Sequence, residues 1–263
     1  YEGEEYLKIE SDCTAYEIQG SMSTWYNKER YGSDFGADVV DHDAAPEWLQ
    51  IASNCTLAWH DHRIHYMSPQ PPVNAKPGDV IVADSIPLTI DDISVAVRVE
   101  SSLVERPSLL APLVAAAGAL LLVVGVIGRT SAALQRLMVA ASLVGLVIGG
   151  AQYLWAAPGT GPQLISFALP LLATVLSGSA IVFNRTSSIQ RNGVQLISSI
   201  FLALWVLRRK DVLDAALLPT SLPYWVDRAG TAAIGVIACA TAGYALVGLW
   251  QIANAIRPSP RQA

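Results

Sequence analysis

Residues 109–128 read LLAPLVAAAGALLLVVGVIG and contain no charged side chain. A run of this length crosses the roughly 30 Å hydrocarbon core of a bilayer as a single α-helix. Three further uncharged runs are long enough to do the same, at 137–157, 163–183 and 229–256. A fifth apolar run, 193–207, is shorter and ends against Arg208-Arg209-Lys210. The sequence therefore predicts a bundle of five transmembrane helices, or four if this last segment does not cross.

Charge divides the chain just before this bundle. Residues 1–107 hold 19 of the 22 acidic and 7 of the 17 basic residues, a formal charge of −12, whereas residues 108–263 carry +7. The water-soluble part would repel nucleic-acid phosphate, so nucleic acid is excluded as a partner. The four uncharged runs lack the buried ionisable groups that ion-coupled transporters generally need. We expect two domains, 1–107 and 108–263, of which the second contacts membrane lipid.

Positive charge in the short loops predicts the orientation. Five spans place six arginines on one side of the membrane, at positions 129, 136, 185, 191, 257 and 261. The positive-inside rule assigns that side to the cytoplasm. We therefore expect a multi-pass protein of the plasma membrane with an extracytoplasmic N-terminal domain and a cytoplasmic C-terminus. Because the chain begins at Tyr1 rather than Met, we also expect a removed signal peptide.

One group of cations departs from this rule and would face outward. These residues share their loop with three aspartates, so local ion pairs are expected there. The cations are Arg208, Arg209, Lys210 and Arg228, and the aspartates are Asp211, Asp214 and Asp227.

The N-terminal domain shows short alternations of apolar and polar residues, clearest in 79–84 and 93–99. Several short strands without a long helical period predict a small antiparallel β-sandwich. The fold class expected for the whole chain is therefore an α+β membrane protein. Cys13 and Cys55 are the two cysteines of this domain and predict a structural disulfide in an oxidising compartment. A thiol pair that handles copper or exchanges disulfides is the alternative.

The stretch Trp59-His-Asp-His-Arg-Ile-His-Tyr-Met67 holds three of the four histidines in the chain. Imidazole and thioether ligands together favour copper over magnesium or calcium. We expect Thr56 to Met67 to form a strand, on which a bend after Arg63 would bring the ligands together. The candidate metal ligands are His60, His62, His65 and Met67.

Two alternatives for this stretch stay open. His42, which lies between Asp41 and Asp43, could complete a metal site from a loop. In a purely structural reading, Asp61 and Arg63 form an ion pair and the histidines bond to carbonyl groups. The sequence holds no nucleophile, metalloprotease or phosphate-loop motif, so we predict that the protein is not an enzyme.

The Trp-His-Asp-His-Arg-Ile-His motif resembles the core of a family of actinobacterial membrane proteins with a cleaved signal, an extracytoplasmic β-domain and a helical membrane tail. The resemblance spans nearly the whole chain and includes four further segments. These are Trp25-Tyr-Asn-Lys-Glu-Arg-Tyr-Gly32, Ala45-Pro-Glu-Trp48, Leu204-Trp-Val-Leu-Arg-Arg-Lys-Asp-Val-Leu213 and Leu218-Pro-Thr-Ser-Leu-Pro223.

In size and layout the chain is also similar to an accessory subunit of the actinobacterial cytochrome bcc and aa3-type oxidase supercomplex. This resemblance implies a non-catalytic accessory or assembly subunit that contacts cytochrome oxidase or cytochrome bcc subunits. Copper binding on its outer domain, with copper delivery during assembly, and a purely structural role both fit it. The alternative is a free-standing extracytoplasmic copper-binding or copper-uptake membrane protein.

Overall fold

The computed structural model describes residues 5–28, 45–54, 57–68, 70–127, 129, 131–156, 160, 162–182 and 187–256. The chain divides into two compact units, Tyr1–Glu105 and Arg106–Ala263. Within the described residues the first unit holds the strands and one short helix, and the second holds the long helices. The protein therefore has an α+β fold of the membrane type.

The N-terminal unit contains two separate sheets. The first is antiparallel with the strand order β1 (Leu7–Ile9), β2 (Ala15–Gln19), β3 (Glu47–Ala52). A short helix, α1 (Met22–Lys28), follows β2. The second sheet is a hairpin of β4 (Val80–Ile90) and β5 (Ile93–Ser102). Strands were expected in these regions, but face-to-face packing of the two sheets as a sandwich is not confirmed.

The hairpin turns over two residues. Ile90 pairs with Ile93, and the intervening Asp91 and Asp92 have φ angles of 47° and 64°. Two successive positive φ angles are typical of the type I′ turn, whose twist matches that of the flanking strands. Aspartate tolerates this conformation better than most residues because its short polar side chain bonds locally.

Five helices make up the described part of the second unit. They are α2 (Leu110–Ile127), α3 (Ser131–Leu154), α4 (Leu164–Val182), α5 (Ser188–Arg208) and α6 (Tyr224–Ile256). Among the described residues four helices, α2, α3, α4 and α6, are long and apolar enough to cross a membrane. The protein is therefore a multi-pass membrane protein, and the predicted count of five spans is not confirmed. α5 begins in a polar segment, where Ser187 and Gln190 form a reciprocal capping box.

All five helices contribute to the core of the helical unit, and α3, α5 and α6 supply its largest side chains. Met138, Leu202, Trp205, Ile234 and Ala238 are all buried in it. By contrast, the apolar side chains along α2 are mostly exposed, which is compatible with contact to membrane lipid. α6 begins at Tyr224, before the predicted start of that span at 229.

Close helix packing occurs where α3 meets α4. A Cβ atom added at Gly149 would lie 1.9 Å from the carbonyl oxygen of Ser166. A Cβ atom added at Gly145, one turn earlier, would lie 3.3 Å from Cβ of Pro170. Small residues four positions apart let two helix backbones approach this closely.

The same carbonyl group of Ser166 joins α4 to α5. Pro170 lies inside α4 and has no N–H, so it cannot donate to the carbonyl oxygen four residues earlier. The indole Nε1 of Trp205 donates to that oxygen at 2.8 Å. In a bilayer a freed backbone acceptor has to be satisfied by a neighbouring helix. Trp205 provides this partner from α5.

Candidate functional site

The histidine loop, residues 57–68, is not a strand. Within its described residues it runs extended and then forms a 3₁₀ turn at His62–Ile64. The predicted strand over Thr56 to Met67 is therefore wrong. Asp61 caps the turn, because its Oδ1 accepts a hydrogen bond from the N–H of Arg63 at 3.0 Å. Aspartate at a turn start offers the backbone this local bond in place of a strand ladder.

The Asp61 side chain anchors the loop inside the N-terminal unit. Only 2% of Asp61 is exposed. Arg63 donates to its carboxylate from Nη2 at 2.6 Å and from Nε at 2.9 Å, and the hydroxyl of Tyr6 donates to Oδ2 at 3.3 Å. The Asp61–Arg63 ion pair, which the structural alternative predicts, is therefore present and is bidentate.

Electrostatics at this anchor keep the carboxylate charged. Burial would raise the pKa of Asp61, but the hydrogen bonds and positive charge of Arg63 outweigh it and lower the pKa from 3.8 to about 2. Burial and the nearby Asp61 charge raise the pKa of the Tyr6 hydroxyl. Tyr6 therefore stays a neutral donor and Asp61 a charged acceptor across the physiological range.

A second attachment comes from α1. The backbone N–H of His62 donates to Oδ1 of Asn27 at 3.1 Å. The side chain of Ser21, just before α1, accepts from the N–H of Thr24 at 3.0 Å and so caps that helix. Two side chains therefore bond to the backbone of the 3₁₀ turn, Asp61 from within the loop and Asn27 from α1.

The turn brings three imidazole rings together. The ring centre of His60 lies 4.8 Å from that of His62 and 4.8 Å from that of His65. The centres of His62 and His65 lie 6.1 Å apart. Imidazole nitrogens bind a metal at about 2 Å, which places the ring centres of two ligands roughly 4.5–6 Å apart at ordinary ligand angles. The two distances from His60 fall within this range and the His62–His65 distance lies just above it, so the three rings are close to the spacing of ligands to one metal ion.

The rings lie close together, but their nitrogen atoms are not arranged to bind one metal ion. In the described part of the chain, no group of three or more His, Cys, Asp or Glu already has a metal-holding arrangement. Met67 follows His65 by two positions and is exposed. A metal ion would therefore require the rings to turn about their side-chain bonds, on a backbone that is already bent around them.

Other residues named by the sequence fall partly outside the described residues. His42, Asp41 and Asp43 lie outside them, so a fourth imidazole ligand stays a prediction. Cys13 takes part in a disulfide bond. Its predicted partner Cys55 also lies outside the described residues, and the pairing stays a prediction.

A buried polar network lies at one end of the helical unit. Arg209, directly after α5, forms an ion pair with Asp227 of α6 and also donates to the side-chain oxygen of Gln152 on α3. The amide of Gln152 donates to Asp227 at 3.2 Å. The guanidinium carbon of Arg209 lies 4.5 Å from the ring centre of Trp205. Ion pairing in this region was expected from the sequence, but the burial of the pair and the part of Gln152 were not.

Arg228 is also buried near this network but has a different role. Its side chain donates to the carbonyl oxygens of Val212 at 3.2 Å and of Ala215 at 2.7 Å. It thus closes the turn that leads from α5 to α6. The sequence signal for both sites is the same, a cluster of Arg and Asp at the ends of two apolar runs, but the signal does not say which charges turn inward.

Comparisons of the chain with protein-family models, with curated proteins and with solved structures return no match. The function is therefore argued from the residues and geometry of the two units.

Proposed function

We propose that the protein is a non-catalytic, membrane-anchored accessory protein whose N-terminal unit binds copper through the histidine loop. The observation that carries this proposal is that the rings of His60, His62 and His65 lie close together on one turn. The Asp61 side chain holds the backbone of that turn through its bond to the N–H of Arg63. A rigid backbone lowers the entropy cost of bringing ligands to a metal ion, because only side-chain rotations are left to order.

The available donors favour copper. The one carboxylate within the loop, Asp61, is engaged by Arg63 and Tyr6 and so is withdrawn from metal binding. The other candidate ligands in the loop are imidazoles and the thioether of Met67, a donor set that suits copper and disfavours Mg²⁺ and Ca²⁺, which prefer oxygen ligands. Zinc would use the imidazoles but gains little from a thioether.

Metal analysis of the full-length protein in mild detergent tests this assignment. Wild type is compared with His60→Ala/His62→Ala after copper loading and desalting, and the bound copper per chain is measured. We expect one copper ion per chain in wild type and loss of most of it in the double variant. Met67→Leu serves as the matched variant, since it removes the thioether and keeps the imidazoles. Met67→Leu is expected to weaken the binding of Cu(I) and to leave the binding of zinc unchanged.

Equal copper in wild type and double variant would refute the metal site and leave the histidines with a structural role. Circular dichroism of the variants at matched concentration controls for loss of fold. A loss of copper and of zinc in equal measure on Met67→Leu would mean that the thioether is no ligand.

For the biological setting we propose an accessory or assembly subunit of a respiratory complex, with cytochrome oxidase or cytochrome bcc subunits as partners. The sequence resemblance and the copper ligands support this setting, together with an N-terminal unit that positive-inside loops assign to the extracytoplasmic side. Affinity-tagged protein extracted from native membranes in mild detergent should retain oxidase or cytochrome subunits. If none is retained and copper still binds, the protein is the free-standing copper-binding or copper-uptake protein of the alternative.

We further propose that α5 crosses the membrane as a fifth span. Its central polar side chains turn inward: Gln195, Ser198 and Ser199 are buried, whereas Gln190 and Arg191 in its first turn are exposed. The Oγ atoms of Ser199 and Thr241 lie 2.7 Å apart and share a hydrogen bond. The outward residues are apolar and exposed, namely Ile197, Ile200, Leu204 and Leu207. A helix that buries its central polar side chains and exposes apolar ones fits a lipid environment despite its modest overall hydropathy.

Topology reporters decide between five and four spans. With five, tags at the two ends of the chain lie on opposite sides of the membrane, and with four they lie on the same side. Protease protection of both tags in sealed vesicles should therefore differ between the ends. Equal protection would refute the fifth span.

A further inference from the structure

A groove of about 490 Å³ opens between the start of α4 and the end of α5. One wall is formed by the apolar side chains of Leu164, Ile165 and Leu169. The opposite wall carries Trp205 and, at the rim, Arg208. Leu164 and Ile165 are both well exposed. The groove thus combines an apolar floor with a cationic edge.

Exposed tryptophans fix the level of this groove in the membrane. Trp225 is 63% exposed at the start of α6 and Trp250 is 66% exposed near its other end. They are 25 positions apart, which corresponds to about 37 Å at the rise of an α-helix. This matches a hydrocarbon core of roughly 30 Å plus the interfaces, where tryptophan is enriched. Trp155, 65% exposed at the end of α3, lies at the same end as Trp225, because Gln152 bonds to Asp227.

The groove lies at this end as well. Arg209, which follows Arg208 directly, bonds to Gln152 and Asp227 and stacks on Trp205. Arg208 is therefore placed at the level of the lipid headgroups, with Leu169 and the rest of α4 extending from it toward the hydrocarbon.

Arg208 differs from its two arginine neighbours in this region. Arg209 is neutralised by Asp227, and Arg228 is used by backbone carbonyls. Arg208 is exposed, and no carboxylate in the described part of the chain forms an ion pair with it. A guanidinium at headgroup level that has no anionic partner among the described residues favours a phosphate, which it binds through paired N–H groups.

We propose that the groove binds an anionic phospholipid, with the phosphate on Arg208 and an acyl chain along Leu164, Ile165 and Leu169. Among the described residues that line the groove there is no carboxylate, so these residues offer nothing to pair with the cationic headgroup of a zwitterionic lipid. This site depends only on the helical unit being in a membrane, and neither the copper site nor the respiratory partner enters the argument.

Native mass spectrometry of the full-length chain in mild detergent tests the proposal. The protein is mixed with equimolar dioleoyl phosphatidylglycerol and dioleoyl phosphatidylcholine, and retained lipid is counted for wild type, Arg208→Gln and Lys210→Gln. Lys210 is the matched control, since it is an exposed cation two residues away that does not line the groove. Arg208→Lys tests the paired geometry, because it keeps the charge but loses the fork.

Both lipids present a phosphate, but the choline cation of phosphatidylcholine is repelled by Arg208. We therefore expect wild type to prefer phosphatidylglycerol by about tenfold and Arg208→Gln to lose most of that preference. Lys210→Gln should keep it, and Arg208→Lys should fall between. Equal losses in Arg208→Gln and Lys210→Gln would overturn the proposal in favour of diffuse surface charge, and an unchanged Arg208→Gln would overturn it outright.

A thermal melt separates lipid from free anion and checks the fold. Phosphatidylglycerol should raise the melting temperature of wild type but not of Arg208→Gln, whose lipid-free melt should equal that of wild type. If inorganic phosphate alone stabilises wild type as much as the lipid does, the groove recognises a free anion and the lipid assignment fails.

Discussion

The hydrogen bond from Trp205 to the Ser166 carbonyl predicts an energetic coupling with Pro170. In wild type the carbonyl depends on the indole, since Pro170 has no N–H to donate. Trp205→Phe would leave this buried acceptor without a partner, at about 1–3 kcal/mol, and would add the cost of the cavity left by the smaller ring. In a Pro170→Ala background, the N–H of residue 170 becomes available to the carbonyl. Trp205→Phe then costs only the packing part.

A double-mutant cycle measures this difference. Wild type, both single variants and Trp205→Phe/Pro170→Ala are unfolded by titrating a denaturing detergent into mixed micelles, with helicity followed by far-ultraviolet circular dichroism. We expect a coupling free energy of about 1–2 kcal/mol, with the double variant more stable than the sum of the single changes predicts. Trp205→Phe changes the cation–π contact with Arg209 by the same amount in both backgrounds. This contribution therefore cancels in the coupling free energy. Additivity within about 0.5 kcal/mol would refute the reasoning.

Three further predictions concern other parts of the chain. Gly149→Ala should destabilise the helical unit by about 1–3 kcal/mol in the same detergent titration, because the new methyl meets backbone, whereas Gly150→Ala, which meets nothing closer than 3.8 Å, should be neutral or stabilising. Arg209→Gln or Asp227→Asn alone should cost about 3–5 kcal/mol, and the double variant less than their sum; full additivity would contradict a buried pair. Asp61→Asn should lower the unfolding free energy of the N-terminal unit by about 2 kcal/mol above pH 4. Because the pKa of Asp61 is lower in the folded than in the unfolded protein, this difference should disappear as the pH falls through about 2. A difference that persists at pH 2 in chemical denaturation would rule out the Asp61 charge as its source.

The long helices could be predicted well where nothing polar interrupts them. The runs 109–128 and 163–183 become α2 and α4 with nearly the same limits. The predicted span began at residue 229, after the true start of α6, because Asp227 and Arg228 end the uncharged run from which the span was predicted. Their charges enter the helix only because partners from α3, from the residue after α5 and from the following turn satisfy them, and those contacts are set by tertiary packing.

The histidine loop shows the opposite limit. Alternation over residues 57–67 favours a strand, but a strand needs a neighbour to pair with, and local bonds win here. Asp61 bonds to the N–H and the side chain of Arg63, two positions on, and so bends the chain. The ligand candidates and the need for a bend were visible in the sequence. The anchor from Tyr6, 55 residues earlier, was not, because nothing in the sequence relates the two.

The Ser166 carbonyl links the packing of the helices to the proposed lipid groove. Gly149 of α3 packs against it, Trp205 of α5 donates to it, and both Ser166 and Trp205 line the groove. The wall of the groove is therefore held by the same contacts that join α3, α4 and α5, and a displaced α4 would change its shape. Arg208 lies at the rim and belongs to none of these contacts. Packing and lipid binding should consequently fail together in Gly149→Ala, whereas Arg208→Gln should lose the lipid and keep the fold, which is why the arginine is the informative site for the lipid question.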